Sequence, residues 1–83
     1  MTEEIATKVP WAENLTAYDN DHFSVYLKLI DACANNASED EMALTILGID
    51  PALQPARARK AVRSHLERTY WLISNGYKDL FPR

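Results

Sequence analysis

At 83 residues, with 47% hydrophobic and 25% charged residues, the chain has material for one small core. Twelve acids against nine bases and a net charge of −3 give it the wrong sign for long-range attraction to nucleic acid or an anionic membrane surface. The one cysteine, Cys33, excludes an internal disulfide, and no apolar run approaches the roughly 18 residues of a membrane span.

Residues 1–14 read as a flexible N-terminal arm, with Pro10 and no hydrophobic period. Met1-Thr2-Glu3-Glu4-Ile5 is acidic and lacks an apolar signal core, so a reducing, cytoplasmic location is expected. Trp11 is expected to anchor the arm near the start of the first helix.

The helical domain is expected over 15–83. Asp19-Asn20-Asp21 supplies acceptors for a helix N-terminus and predicts a helix from about Asp21 to Asn35. Phe23, Tyr26, Leu27, Ile30, Cys33 and Ala34 form one apolar stripe, and Val25, Leu29 and Ala32 a second. Two stripes mean either a nearly surrounded central helix or a second face that meets a partner. Asn35-Asn36-Ala37 is a loop. Ser38 and Glu41 then have capping-box spacing, and Glu39, Asp40 and Glu41 suit the positive end of a helix dipole. This short helix should run to about Leu47, turn Met42, Ala43, Ile46 and Leu47 inward, and stop at a left-handed Gly48.

Asp50-Pro51 leads into a short turn at 51–54, followed by a long helix from Pro55 to Asn75 that Gly76 ends. Ala58, Val62, His65, Leu66, Thr69 and Ile73 are its expected buried face. Tyr77, Leu80 and Phe81 are spaced to fold back onto the core. No strand signal or internal repeat is visible, so the fold expected is all-α: a three-helix domain behind a flexible arm, with the outline of a helix-turn-helix.

That outline conflicts with the charge distribution. Residues 1–50 hold ten acids against Lys8 and Lys28, a balance of −8. Residues 51–83 hold seven bases against Glu67 and Asp79, a balance of +5. The bases are concentrated in Arg57, Arg59, Lys60, Arg63 and Arg68, and three readings of that run stand: a solvated helix face, a protein contact or a DNA contact.

Chemistry is not visible. His22, Cys33 and His65 lack the spacing of a zinc site, and Ser64 beside His65 points in a different direction along a helix. There is no glycine-rich phosphate loop. The expectation is no enzyme activity, no metal and no cofactor. His65 reads as a hydrogen-bonded core histidine and Cys33 as a small apolar residue.

Six segments in order carry a resemblance. They are Leu15-Thr16-Ala17-Tyr18-Asp19, Tyr26-Leu27-Lys28-Leu29-Ile30-Asp31-Ala32, Leu47-Gly48-Ile49-Asp50, Arg57-Ala58-Arg59, Ser64-His65-Leu66-Glu67-Arg68 and Gly76-Tyr77-Lys78-Asp79-Leu80. Over residues 15–81 the chain resembles the divergent helix-turn-helix domain of regulators of proteobacterial integrative and conjugative elements. Acidic and with only a short arm, it is similar to the stand-alone QseM-type antiactivators. The resemblance implies an antiactivator that represses conjugative transfer by binding transcriptional activators. The partners implied are a LuxR/TraR-type quorum-sensing regulator and the excision activator FseA. The alternative is a DNA-binding transcriptional regulator that uses the long basic helix.

The chain departs from an ordinary helix-turn-helix at Leu44, where a small residue is usual four positions before the turn glycine, and at its two prolines. The expected working surface is the outer face of the short and long helices, with Glu39, Asp40, Arg57, Lys60, Arg63 and Glu67 as partner-binding residues. No specific DNA binding, no membrane contact and a monomeric state are expected.

Overall fold

Thr16 starts the helical part of the chain. Its hydroxyl accepts the Asp19 amide at 3.1 Å and its own amide donates to the Asp19 carboxylate at 3.0 Å, a complete capping box. The structure, a computed structural model, describes residues 5–76. Among those residues the only regular elements are helical: α1 (Ala17–Asp21), α2 (Phe23–Ala34), α3 (Glu39–Met42) and α4 (Pro55–Trp71). Wider π-type turns continue α3 over Ala43–Leu47 and α4 over Leu72–Gly76.

Four helical segments therefore replace the three expected. The extra one is α1, because the helix starts at Thr16 and Asp19 is not a cap but the third residue of that first turn. A break at His22, with φ −116° and ψ 20°, separates α1 from α2.

The turns follow the sequence more closely. Asn36 sits at φ 61°, a left-handed conformation that asparagine tolerates. The Asn36 amide donates to the Cys33 carbonyl at 3.0 Å and the Ala37 amide to the Ala32 carbonyl at 2.9 Å, which together satisfy the last turn of α2. Ser38 accepts the Glu41 amide at 3.1 Å and caps α3. Gly48 takes the left-handed conformation at φ 72°, and the Ile49 amide closes the turn on the Ala43 carbonyl at 2.9 Å. The Asp50 carboxylate accepts the Ala52 amide, and Pro55 occupies the first position of α4, where no amide donor is needed.

Two different interiors meet along α4. Around its first half lies an apolar core of Leu29, Met42, Ala43, Leu47, Ile49, Ala58, Ala61 and Val62, all buried. Three of these are alanines on facing helices, which lets the backbones approach closely. Around its second half the interior is polar: Asp19, His65, Arg68 and Thr69 are buried beside Tyr26.

Helix α2 uses neither apolar stripe as drawn from its sequence. Tyr26 and Leu29 are buried, Val25, Ala32 and Cys33 are half-buried, and Phe23 and Leu27 face out. The buried strip runs between the two stripes, where α2 packs against α4, the turn after α3 and α1. Ile73 is also outward-facing rather than buried, 48% exposed. Tyr77, Leu80 and Phe81 lie outside the described residues.

Residues 5–14 form no helix, as an arm should, yet they lie against α4. Val9 is buried and its amide donates to Ser64 Oγ at 2.7 Å. Arg57 donates to the Ile5 carbonyl and to Thr7 Oγ1, each at 3.1 Å. Trp11 anchors the arm at the far end of α4, edge-on to Trp71 with ring centroids 5.7 Å apart, and stacks on Arg68, the arginine that holds Asp19 in the first turn of α1.

Candidate functional site

Arg68 and Asp19 form the one fully buried ion pair among the described residues, and its contacts are all internal. Arg68 Nη2 lies 2.6 Å from Asp19 Oδ2, with both side chains fully buried. Arg68 Nε also donates to the Asp19 carboxylate, while Nη1 reaches the Ala12 carbonyl at 2.6 Å and Nη2 the Asn14 carbonyl at 2.9 Å. Trp11 and Trp71 stack on the guanidinium, 4.9 and 4.6 Å from it to their ring centroids. Tyr26 donates to the other Asp19 oxygen at 2.7 Å. Burial by itself would raise the Asp19 carboxyl, but the hydrogen bonds from Arg68, the Thr16 amide and Tyr26 outweigh it and hold the group below the usual carboxylate range. Burial and the Asp19 hydrogen bond push the Tyr26 phenol up.

His65 sits in the same interior. Its Nδ1 is 2.7 Å from the Ala61 carbonyl, which can only accept, so Nδ1 carries the hydrogen. Nε2 then accepts the Tyr18 hydroxyl at 2.6 Å, and that oxygen accepts the Ala6 amide at 3.1 Å. Burial lowers the imidazole below its ordinary value despite the Ala61 hydrogen bond. This chain of bonds ties arm, α1 and α4 together around a neutral histidine. Among the described residues no three His, Cys, Asp or Glu side chains come together as metal ligands would.

The outer surface carries the candidate functional residues. Glu39 begins α3 and Arg63 lies midway along α4. Arg63 Nε and Nη2 meet the two Glu39 oxygens at 2.8 and 3.2 Å, an exposed two-point pair. Those hydrogen bonds hold the Glu39 carboxyl below the usual range. Arg63, Lys60 and Glu67 line an open groove of about 420 Å³ together with Lys8, Ala56, Arg59 and Ser64. Asp40 is exposed on α3 and is not part of that lining.

Arg57 behaves differently from its neighbours. It is half-buried, and its guanidinium is occupied by Ile5, Thr7 and Gln54, so it holds the arm rather than facing outward. The residues that the groove adds are Lys8, Arg59 and Ser64. Ala56, Lys60, Ser64 and Glu67 recur at helical spacing and mark one face of α4. Lys8 carried no signal at all, since only docking of the arm brings it there.

No protein-family model matches the chain, and no curated protein matches it. No helix among the described residues is long and apolar enough to cross a membrane.

Proposed function

We propose that this chain is a QseM-type antiactivator. It binds a LuxR/TraR-type quorum-sensing regulator and the excision activator FseA, and so represses conjugative transfer of an integrative and conjugative element. The proposal takes it as a cytoplasmic monomer that uses no cofactor and catalyses nothing. Sequestration needs only mass action: a protein that binds the activator lowers the concentration free to reach DNA.

The observation that carries this reading is the exposed mixture of charge on α3 and α4. Glu39, Asp40 and Glu67 stand among Arg59, Lys60 and Arg63. A phosphate backbone is repelled by carboxylates set among the cations that would bind it, whereas a protein surface can match both signs. The order of short helix, left-handed glycine and long basic helix supports descent from a DNA-binding outline whose outer face now serves another partner.

Purified chain titrated against each activator should form a complex, and promoter DNA from the element should show no competitor-resistant binding. Asp40→Lys and Arg63→Glu should weaken activator binding while leaving the helical circular dichroism intact. Activator binding and repression at wild-type levels in both variants would place the working surface elsewhere.

One observation favours the second reading, a DNA-binding regulator. Lys8, Arg59, Lys60 and Arg63 line a single groove. That reading requires tight DNA binding with a steep loss of affinity as salt rises.

A further inference from the structure

We propose that the groove between the arm and α4 is a receptor for an extended acidic peptide segment of the pattern acid-x-acid-x-base. The inference deepens the activator-binding reading by naming the chemistry of the partner segment, and rests on that reading for the partner's identity.

The groove is a composite. Lys8 comes from the arm, and Arg59, Lys60, Arg63 and Glu67 come from successive turns of α4. Arg59, Arg63 and Glu67 follow one another at intervals of four residues, about 6 Å along a helix axis. An extended chain puts alternate side chains on one side at about 6.6–6.8 Å. Three alternate residues of a strand therefore keep step with these three side chains. The order of charge on α4 is positive, positive, negative, so its complement is two carboxylates followed by a cation.

Arg63 already shows the contact. It grips the Glu39 carboxylate through two nitrogens, and the pair is exposed, so exchange for an incoming carboxylate costs little. Glu39 is in this sense an internal competitor for the site. Ser64 supplies a further donor: its oxygen accepts the Val9 amide, which leaves its own hydroxyl hydrogen to meet a ligand oxygen in the groove. Nucleic acid fits less well, because Glu67 and Glu39 would face phosphates, whereas the peptide brings a cation to Glu67.

The test titrates the ¹⁵N-labelled full chain at low salt with the blocked peptide Glu-Ser-Glu-Ser-Lys. Its charge-reversed counterpart and a short DNA duplex serve as rival ligands. Saturable amide shifts centred on Lys8, Arg59, Lys60 and Ser64 are expected for the acidic peptide alone. Arg59→Glu should weaken binding at least tenfold, and Lys8→Glu, outside any helix, should weaken it several-fold. Glu39→Gln should tighten it about threefold by freeing Arg63. Shifts that do not saturate, an affinity untouched by both charge reversals, or a duplex that displaces the peptide from the same residues would each overturn the proposal.

Activator binding is measured on the same variants. Loss of both peptide and activator in Arg59→Glu supports the groove as the activator's seat, and loss of peptide with activator retained overturns it. Failure of the wild-type chain to bind any activator sinks the antiactivator reading alone, and the peptide titration still decides the groove.

Discussion

Removing the Arg68 guanidinium would strand the Asp19 carboxylate, which has no exposure to water. Breaking a buried pair from one side typically costs about 3–5 kcal/mol, because the remaining charge stays desolvated. For a domain of this size that corresponds to a fall in Tm of roughly ten degrees or more. Arg68→Met should show it in thermal circular dichroism, and Asp19→Asn combined with Arg68→Met should cost less than the two single changes added together. Acid should act on the same interior in two windows. His65 has a lowered value in the folded state, so the fold binds fewer protons there than the unfolded chain. Its contribution is complete above 6.5 and declines as pH falls from 6.5 towards the folded value. Asp19 is also lowered, so its contribution is complete above about 3.8 and is lost as pH falls further through the folded value. Tm measured against pH should fall in both windows, and His65→Gln should flatten the upper one while leaving the lower.

At the scale of elements, the left-handed turn at Gly48 decides how the short helix hands over to α4. A Cβ added at Gly48 meets nothing within 4 Å, so substitution is resisted by the backbone alone. Gly48→Ala should cost about 1–2 kcal/mol, and Gly48→Asn less, since asparagine tolerates this conformation. Chemical denaturation of the two variants checks the order, and an equal loss in both would point to packing instead. Helix starts were only partly legible. Ser38 and Gly48 announce their turns through side-chain chemistry confined to a few residues. The true start at Thr16 was hidden because Asp19 offers the same acceptor chemistry whether it caps a helix or closes a box inside one.

For the whole molecule, the arm is the piece whose role changes most. Val9, Arg57, Ser64 and Arg68 tie residues 5–14 to α4 over sequence separations of 50 or more. The Val9 amide should therefore exchange slowly with solvent deuterium, and Ser64→Ala should remove most of that protection while α4 remains helical. Fast exchange of the Val9 amide in the wild type would show the arm undocked in solution. Deleting residues 1–14 should lower Tm further than Arg57→Ala, because it also strips Arg68 of the Ala12 and Asn14 carbonyls. The groove would lose Lys8 with it.

The sequence by itself determined the helical class, the two turns at Asn36 and Gly48, the capped start at Ser38 and the extent of the long helix. It also placed His65 inside with its hydrogen bonds met. Each of these depends on residues a few positions apart, and local geometry is what side-chain spacing encodes. Only the tertiary structure decided that Arg68 leaves the basic face for the interior, that Arg57 serves the arm, and that Lys8 joins Arg59, Lys60 and Arg63 in one groove. A guanidinium can be buried only where distant partners converge on it: here a carboxylate from α1, two carbonyls from the arm and two indole rings. All of these but Trp71 lie about fifty residues away along the chain; the spacing from Ala61 and His65 puts Arg68 on the buried side of α4, but nothing near it in the sequence shows the carboxylate and carbonyls that its burial needs.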